Sequence, residues 1–535
     1  MGCLHNYLRR PELLVPLMVL LVWIFWWFLV KPLSYWKKRG IPAIPAVPWM
    51  GSMPVFFWRK YIGDVFASMY AQLDGKKYGG FHKLSKPCIL VRDPDLIKDI
   101  LETNFSNFHD NDNEVPAIMN AAYSQNLGFL KGEAWDRLRG NLKDAYSTGN
   151  IKNFIPFILE VCETLEDCVS TKVDSLMELK EMGECYTTDV ISSIAFGTRG
   201  DALLNPSCKF RRMGSKISRA QASRCLAVNM PWLLKIMPFL CSSRKAVDYF
   251  RDMVKESIHQ REEEKVQRPD FLHVLVELQR KGKLRINEEA MGGEKDSPSK
   301  EENEGSPMEL DNEALDSITA QALSFFINGL HTTANLISFS LLELAHNGDI
   351  QSRARAEVGK ALERHGSMSQ DTLMAMPYLD SILLETARKY PPSPFLARLA
   401  SKKYYLPSPE YENEKGGEGI WLDEGSAVVI PILGLHRDPE YYPSPEIFDP
   451  DNFSDKNSSK RTQFTFLGFG GGPRTCIGMH LGLLLAKAAI ATLLAKYDFL
   501  PSDKSSLPVA LDPANHTTTA QGGLWVKVSS LKKKY

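Results

Sequence analysis

A glycine-rich segment near the carboxyl end of the chain surrounds a single cysteine. It reads Phe-Gly-Gly-Gly-Pro-Arg-Thr-Cys-Ile-Gly from Phe469 to Gly478, and the cysteine is Cys476. Glycine adopts backbone angles that let a chain bend tightly around a sulfur atom. A thiolate that binds iron also needs backbone N–H groups directed at the sulfur and surroundings that exclude water. The segment therefore predicts that Cys476 is the thiolate ligand of a haem iron.

Two neighbouring features favour a negative charge on this sulfur. Apolar spacing predicts a helix over 477–496, and Cys476 would stand at its amino end, where the helix dipole stabilises an anion. Arg474 adds a cation suited to a carboxylate of the cofactor. The alternative is a glycine-rich turn with a structural cysteine. The letters Phe-x-x-Gly-x-Arg-x-Cys-x-Gly would, however, arise by chance in roughly one such chain in ten thousand.

The elements that must position this segment are mostly helical. Apolar residues recur at a spacing near 3.6 over 154–178, 312–347, 350–364, 370–390 and 477–496. Strand-like runs are short and include Cys88–Arg92, Ala427–Ile430 and Leu524–Val528. This ratio predicts a mainly α (α+β) fold with small peripheral β-sheets.

The composition excludes several classes of protein. The chain has 535 residues, 44% of them hydrophobic and 24% charged, as in an ordinary globular protein. Lys+Arg and Asp+Glu number 64 each, so no net charge directs the chain to nucleic acid. The nine cysteines are scattered and contain no C-x-x-C pair, which indicates neither a disulfide framework nor a zinc site.

An uncharged stretch near the amino terminus, from Leu13 to Val30, is long enough to cross a bilayer as a helix. Its 18 residues would span about 27 Å, close to the hydrocarbon thickness of a membrane. A cleaved signal peptide would carry a shorter apolar region followed by small residues, whereas Lys31-Pro-Leu-Ser follows here. We therefore predict a retained, single-pass membrane anchor with a basic flank over residues 1–39.

Basic residues on either side of this stretch predict its orientation. Two precede it and four follow it, namely Arg9 and Arg10 against Lys31, Lys37, Lys38 and Arg39. By the positive-inside rule, the body of the protein lies in the cytoplasm. We expect it to be attached there to the endoplasmic reticulum membrane.

The rest of the chain divides into a hinge and one large unit. Prolines at every third position over residues 40–49 favour a stiff, extended hinge. Residues 50–535 contain no repeat of fixed period and are predicted to form one catalytic domain. Within it, 287–311 is charged, rich in Gly, Pro and Ser and poor in large apolar groups, which predicts a mobile surface loop.

Four further motifs precede the cysteine segment. In chain order they are Trp135-Asp-Arg-Leu-Arg139, Asn328-Gly-Leu-His-Thr-Thr333, Glu385-Thr-Ala-Arg388 and Phe448-Asp-Pro-Asp-Asn-Phe453. Together with the cysteine segment, they resemble the cytochrome P450 superfamily over nearly the whole chain. Arg268-Pro-Asp-Phe-Leu272 and Ile318-Thr-Ala-Gln321 look most like its animal group of xenobiotic- and lipid-oxidising enzymes. The resemblance implies the cytochrome P450 fold, a helical bundle around haem b.

The resemblance also implies which residues hold the haem. The thiolate of Cys476 would be the axial ligand of the iron, and Phe469 begins the segment that carries it. A tryptophan and three arginines would surround the haem propionates, namely Trp135, Arg139, Arg398 and Arg474.

Glu385 and Arg388 resemble the family's E-x-x-R pair, which braces the haem-binding core. Residues three apart on one helix face can form an ion pair. Asn452 replaces the arginine that usually completes this pair to a triad. We therefore expect a pair plus an amide.

The motif from Asn328 to Thr333 resembles the family's oxygen-handling motif A-G-x-[D/E]-T-T. By this resemblance, Gly329 would allow close approach of dioxygen, and Thr332 would hydrogen-bond to it and order a water for proton delivery. His331 takes the position of the usual acid, and Asn328 that of the alanine. A histidine can relay protons near neutral pH. The alternative for His331 is a polar residue adapted to helix packing.

The resemblance also implies which segments line the substrate pocket, and the apolar residues in them predict a lipophilic substrate. The expected lining of the pocket comprises Phe325, Phe326, Asn328, Pro394, Phe395 and Leu396. The two adjacent phenylalanines could equally pack inside a buried helix.

The function implied is that of a membrane-anchored haem-thiolate monooxygenase. It would insert one oxygen atom of O2 into a lipophilic small molecule, with NADPH electrons from a membrane-bound reductase and a b-type cytochrome as a second candidate donor. One alternative is a haem-thiolate isomerase or dehydratase that acts on peroxides without a reductase, but such relatives tend to lose the threonine found here as Thr332. The other is a non-catalytic haem carrier or sensor, which would not need an oxygen-handling motif.

Overall fold

The structure is a computed structural model and describes residues 11–48, 50–53, 60–112, 125–217, 244–284, 311–411, 418–515 and 517–531. Its amino-terminal part is almost continuously helical. Helix α1 (Pro11–Phe25) passes through a π-helical turn (Trp26–Val30) and a 3-10 turn (Lys31–Ser34) into α2 (Tyr35–Lys38). Within it, the 21 residues Met18–Lys38 are long and apolar enough to cross a membrane, and their apolar window is not buried in the protein.

The carboxyl-terminal end of this apolar stretch contacts the body through Trp36. Its indole is buried, and Nε1 donates a hydrogen bond to the backbone oxygen of Phe81 at 3.0 Å. A Cβ atom at Gly80 would lie 2.3 Å from the same ring, so the close approach requires glycine there. The end of the stretch therefore packs on the first sheet and does not stand free of it.

In the described ranges, the body is mainly helical with three small sheets. Its helices are α3 (Ile62–Gln72), α4 (Pro94–Lys98), α5 (Gly132–Leu142), α6 (Thr148–Ser170), α7 (Leu179–Phe196), α8 (Arg244–Glu264), α9 (Phe271–Arg280), α10 (Asn312–His346), α11 (Gly348–His365), α12 (Gln370–Met374), α13 (Pro377–Lys389), α14 (Ile432–His436), α15 (Asp455–Ser458) and α16 (Met479–Leu494). Its strands are β1 (Tyr78–Lys83), β2 (Lys86–Val91), β3 (Asp110–Asn111), β4 (Leu176–Glu178), β5 (Leu396–Leu399), β6 (Tyr404–Leu406), β7 (Ile420–Leu422), β8 (Ala427–Ile430), β9 (Tyr497–Pro501) and β10 (Trp525–Ser530). The predicted fold class is thus confirmed.

Helix α10 is the central element of the fold. It begins at a cap, because the carboxylate of Asp311 accepts a hydrogen bond from the backbone N–H of Ala314 at 2.6 Å. Most of its residues are buried, and the buried residues occur on every face of the helix, as expected of a helix in the core of a large protein. It packs against α7, α8, α9, α13 and α16, which together form the largest hydrophobic core.

As far as the chain is described, the largest sheet has five strands in the order β1-β2-β8-β5-β3, and β2 and β8 are the neighbours in it that pair in parallel. The pairing of β3 with β5 sets Asn111 opposite Arg398. The two residues are 287 positions apart in the sequence. The sheet therefore brings them to one edge, next to the site described below.

Two predicted helices end differently in the structure. The single helix predicted over 370–390 is divided into α12 and α13, because the ring of Pro377 disfavours a helical backbone at Met376 (φ −122°, ψ 65°). The helix predicted over 154–178 ends at Ser170, and its last predicted residues form β4. Between them, Asp174 adopts a left-handed backbone conformation (φ 59°) that interrupts a helix.

The other predicted elements lie within a few residues of their predicted bounds. Helices α10, α11 and α16 correspond to the predicted helices, and β2, β8 and β10 to the predicted strands. The loop predicted over 287–311 lies outside the described residues except for Asp311, which caps α10.

Candidate active site

A cavity of about 450 Å³ lies between α5, α10 and the cysteine segment, within the range of about 300–1,000 Å³ typical of small-molecule sites. Its lining is predominantly apolar. Predicted site residues from four separate parts of the chain meet around it, namely Trp135, Arg139, Phe325, Asn328, Gly329, Thr332, Leu396, Arg398, Phe469, Arg474 and Cys476. The fold thus collects thiol, guanidinium, amide, hydroxyl and aromatic groups around one space.

The cysteine segment forms a tight loop that presents Cys476 to the cavity. The backbone N–H of Cys476 donates a hydrogen bond to the backbone oxygen of Phe469 at 2.8 Å, which closes the loop. Gly472 has a left-handed conformation (φ 66°), and a Cβ atom there would lie 1.8 Å from the backbone oxygen of Leu101. No other residue fits that position without moving the backbone.

The surroundings of the sulfur act on its charge in two directions. Desolvation by the surrounding protein raises the pKa of the Cys476 thiol above its ordinary value. A hydrogen bond from the backbone N–H of Gly478 and the positive charge of Arg139 lower it. A coordinated metal ion would deprotonate such a thiol outright. In the protein alone, desolvation outweighs the two groups that stabilise the thiolate, and a cation bound to the sulfur would reverse this balance.

Cationic side chains cluster around Trp135 on one wall of the cavity. The guanidinium carbon of Arg474 lies 4.0 Å from the centre of the indole ring, and that of Arg139 lies 5.9 Å from it. Arg139 also donates a hydrogen bond to the backbone oxygen of Thr475 at 2.6 Å. The indole thus holds two guanidinium groups close to the cysteine segment.

Arg398 and Arg474 carry buried charges that are only partly compensated. Nη1 of Arg398 donates to Oδ1 of Asn111 at 2.5 Å, but its buried Nε has no hydrogen-bond partner among the residues that the structure describes. Nε of Arg474 donates to the backbone oxygen of His109 at 2.6 Å, and Nη2 lies 3.4 Å from a carboxylate oxygen of Asp110. Desolvation lowers the pKa of both guanidinium groups to about 10.

These observations fit a cofactor that carries carboxylates. Bringing an anion to Arg398 and Arg474 would pair charges that the protein alone leaves poorly solvated. A haem with two propionates and an iron atom matches both the guanidinium groups and the thiol of Cys476. Sequence reasoning missed the partners Asn111 and Asp110, because their contacts join distant parts of the chain and neither lies in a motif.

Glu385 and Arg388 form a fully buried ion pair on α13. Nε and Nη2 of Arg388 donate to the two carboxylate oxygens of Glu385 at 2.8 and 2.7 Å. The backbone N–H of Asp449 and the side-chain amide of Asn452 also donate to this carboxylate, at 3.0 and 3.4 Å. The expected pair plus an amide is therefore present, with Asn452 as the amide.

Helix α10 supplies polar groups to another part of the cavity wall. The Thr332 hydroxyl donates to the backbone oxygen of Asn328 at 2.5 Å, and the Asn328 amide donates to the hydroxyl of Ser324 at 3.3 Å. Beside them, a Cβ atom at Gly329 would lie 3.2 Å from a methyl carbon of Ile191 on α7. Glycine at this position therefore also allows close packing of the two helices.

His331 does not line the described cavity. Its ring points to α7, where Nδ1 lies 3.3 Å from a carboxylate oxygen of Glu184. The other carboxylate oxygen of Glu184 accepts a hydrogen bond from Arg211 at 3.2 Å. The sequence carries no motif around Glu184, so this partner of His331 could not be predicted.

Replacing Glu184 by glutamine tests this contact through the pH dependence of stability. Burial raises the pKa of Glu184, but His331, Lys180 and Arg211 together lower it from 4.5 to about 2. A depressed pKa stabilises the fold above the unfolded-state pKa, and this stabilisation is lost as the pH falls through the folded-state pKa. We expect Glu184→Gln to lower the free energy of unfolding at pH 7 by about 1–3 kcal/mol.

The difference between wild type and Glu184→Gln should shrink as the pH falls from 4.5 to about 2. Denaturant unfolding at a series of pH values measures it. A difference that stays constant over this range would show that the carboxylate charge contributes nothing. Glu181→Gln is a suitable control, because Glu181 also contacts Arg211 but its side chain is largely exposed.

Three predicted pocket residues lie away from the cavity. Phe326 is fully buried against Phe210 and Phe250, with ring centres 5.4 and 5.5 Å apart. It points to the far side of α10, since side chains one residue apart on a helix face different directions. Pro394 and Phe395 pack towards α3, where Phe395 lies 4.7 Å from Phe66 between ring centres. Their neighbours Phe325 and Leu396 line the cavity.

A mainly helical fold around a cavity that collects a cysteine thiol, three guanidinium groups and an apolar wall defines a haem-thiolate protein. Comparison with known proteins agrees with this class. The family model described as Cytochrome P450 matches residues 42–523. This chain belongs to the cytochrome P450 family.

Its relatives include several insect proteins. The chain is 31% identical to cytochrome P450 9e2 of Blattella germanica over 519 residues, which cover 92% of this chain and 93% of that protein. It is 32% identical over 506 residues to probable cytochrome P450 6a13 of Drosophila melanogaster, covering 94% and 95% of the two chains. The chain is accordingly a cytochrome P450 monooxygenase, which combines a haem, a cysteine thiolate, O2, a lipophilic substrate and a redox partner.

Proposed function

We propose that the chain is a membrane-anchored monooxygenase in which Cys476 is the haem ligand and electrons come from NADPH through a membrane-bound flavoprotein reductase, with a b-type cytochrome as a second donor. The observation that carries the proposal is the position of Cys476 in the cavity, with the backbone N–H of Gly478 and the guanidinium group of Arg139 near its sulfur. A haem iron with a thiolate ligand supplies the cleavage of dioxygen and the transfer of one oxygen atom to a C–H or C=C bond.

The cationic wall would hold the propionates of the haem. Arg398 offers a buried Nε that no described part of the chain pairs with, and Arg474 and Arg139 are oriented by the ring of Trp135. Phe469 closes the loop behind the sulfur through its backbone oxygen. These residues would orient the cofactor and exclude water from it.

Residues of α10 would handle dioxygen and protons. The hydroxyl of Thr332 can exchange its bond to the Asn328 backbone oxygen for one to a water or to dioxygen in the cavity. Gly329 keeps that part of the wall free of a side chain. His331 would take part in proton delivery from outside the cavity wall, because its ring contacts Glu184 and does not line the cavity.

An apolar wall would receive the substrate. Phe325 packs against Phe271 with ring centres 4.6 Å apart, and Leu396 lies on β5 beside the cavity. Asn328 adds an amide to this wall. The substrate class that fits is a lipophilic small molecule with a limited number of polar groups.

Turnover in a reconstituted system tests this function. The full chain, loaded with haem in lipid vesicles with a reductase, should oxidise members of a panel of lipophilic compounds only when NADPH and O2 are both present. Consumption of NADPH without product would indicate uncoupled turnover of the same enzyme class. Efficient conversion of a lipid hydroperoxide with neither NADPH nor reductase would instead favour the isomerase or dehydratase alternative. No turnover of either kind, with haem bound, would favour a carrier or sensor.

The same proposal assigns residues 1–39 to the anchor, 40–49 to a hinge and 50–535 to a cytoplasmic catalytic domain on the endoplasmic reticulum membrane. Its support is the apolar helix Met18–Lys38 together with the excess of basic residues after the stretch Leu13–Val30. The buried Trp36 would set the position of the body relative to the anchor.

An acceptor sequence for N-glycosylation in the body provides a test of this orientation. Asn457-Ser-Ser459 is an acceptor sequence, and Asn457 is exposed. We expect no glycan there, because a cytoplasmic domain does not meet the lumenal transferase. Treatment of the membrane-inserted protein with an endoglycosidase should leave its electrophoretic mobility unchanged. An acceptor sequence on a linker fused before Met1 is the control and should be modified. A glycan at Asn457 would show that the body lies in the lumen and would contradict the proposed orientation.

A further inference from the structure

The imidazole of His436 connects the Glu385–Arg388 pair to the cysteine segment. His436 is the last residue of α14 and is fully buried. Its Nδ1 lies 3.0 Å from the backbone oxygen of Arg388, and its Nε2 lies 2.8 Å from the backbone nitrogen of Leu467. In return, Nη1 of Arg388 donates to the backbone oxygen of His436 at 2.9 Å.

The partners of the ring determine its tautomer. The backbone N–H of Leu467 can only donate, so Nε2 of His436 must accept and carries no proton. Nδ1 then carries the proton and donates it to the backbone oxygen of Arg388. Burial lowers the pKa of His436 to about 3, so the ring stays neutral and keeps this arrangement at physiological pH.

Leu467 stands directly before the turn that carries the haem ligand. Its backbone oxygen accepts a hydrogen bond from the N–H of Gly470 at 2.9 Å, and its side chain lines the cavity. The residue before it, Phe466, stacks on the His436 ring with an interplanar angle of 12°. The ring therefore contacts the entrance of the loop through both a hydrogen bond and a stacked side chain.

We propose that His436 is a positioning residue: it fixes Leu467 relative to the Glu385–Arg388 pair and thereby sets the direction in which the Cys476 sulfur enters the cavity. This inference rests on the proposed role of Cys476 as the haem ligand. The buried pair is the rigid support. The imidazole connects it to the cysteine segment, because one ring nitrogen contacts the backbone of Arg388 and the other contacts the backbone of Leu467.

Two amide substitutions separate the two hydrogen bonds of the ring. In His436→Gln the side-chain oxygen can reach the place of Nε2 and accept from the N–H of Leu467, whereas the shorter amide of His436→Asn reaches the place of Nδ1 and serves only Arg388. Tyr442→Phe is a control, because it removes a different buried hydrogen bond, to the backbone oxygen of Thr465 in the same region.

The experiment compares the full-length variants by three measurements. The first is hydrogen exchange at the Leu467 amide, which reports the bond directly in protein with or without haem. The second is the share of haem that gives the red-shifted band of thiolate ligation after reduction and addition of CO. The third is the melting temperature, which reports general loss of structure.

We expect His436→Asn to speed exchange at Leu467 roughly tenfold and to lose most of the thiolate-ligated share, while His436→Gln retains both. Tyr442→Phe should retain both as well, even where its melting temperature falls as far as that of His436→Asn. Equal thiolate-ligated shares in the Gln and Asn variants would overturn the inference. An unprotected Leu467 amide in the wild type would also overturn it, and that measurement does not depend on whether any variant folds. A wild type without the thiolate band would overturn the proposed function and this inference with it.

Discussion

Replacing Glu385 by glutamine is expected to lower the free energy of unfolding by about 3–5 kcal/mol, because it leaves the charge of Arg388 buried and uncompensated. Both side chains are fully excluded from solvent. The carboxylate of Glu385 also accepts hydrogen bonds from Asp449 and Asn452, which join α13 to the segment before the cysteine loop. Loss of the charge therefore weakens three contacts at once.

Denaturant unfolding of wild type and Glu385→Gln, followed by circular dichroism, measures this effect. Asp451→Asn is the matched control, since it removes the exposed ion pair with Arg353 and should change the free energy of unfolding by less than about 1 kcal/mol. If the two variants lose the same stability, the buried pair is not the brace that its geometry indicates.

Replacing Cys476 by alanine is expected to reduce NADPH-dependent oxygen insertion to the background of a reaction without enzyme. As the proposed haem ligand, this thiolate would donate electron density to the iron and favour O–O cleavage, and among the described residues no other cysteine lines the cavity. Product formation per bound haem, with reductase and a substrate identified for the wild type, measures the loss.

A second cysteine provides the control for this loss. Cys168→Ala removes a thiol from α6 that donates a weak hydrogen bond to the backbone oxygen of Leu203 at 3.5 Å. It should leave turnover within about twofold of wild type, because Cys168 is only partly buried and lies away from the cavity. Turnover by Cys476→Ala comparable to that of Cys168→Ala would contradict the assignment of the ligand.

Local spacing made part of the site predictable. Glu385 and Arg388 were predicted to pair because they resemble the family's E-x-x-R motif, and their spacing of three residues on a helix is compatible with an ion pair. Asn452 was predicted to take part as an amide because it stands where a motif expects an arginine. The loop around Cys476 was predictable because its glycines and its cysteine are contiguous in the sequence.

Contacts between distant segments were not predictable in this way. Asn111 meets Arg398 only because β3 and β5 pair, and Glu184 meets His331 only because α7 packs on α10. Neither pairing has a signal in a single sequence. No sequence pattern separated Phe326 from its neighbour Phe325 either, because a helix that is buried all round gives no periodicity that distinguishes the cavity side from the core side.

Helix bounds were limited by backbone effects that periodicity does not capture. Pro377 divides the helix predicted over 370–390, although the apolar spacing continues across it. The positive φ of Asp174 likewise separates α6 from β4 within a segment of helical spacing. In both places the hydrophobic pattern is kept while the local backbone conformation changes.

The measurement that tests the central claim most directly is the absorption spectrum of the reduced, CO-bound protein. Wild type, purified with haem, should give the red-shifted band that marks a thiolate ligand on the iron. Cys476→Ala should lose this band, whether it binds haem through another group or not at all. Absence of the band in wild type, or its persistence in Cys476→Ala, would contradict the claim that Cys476 is the haem ligand.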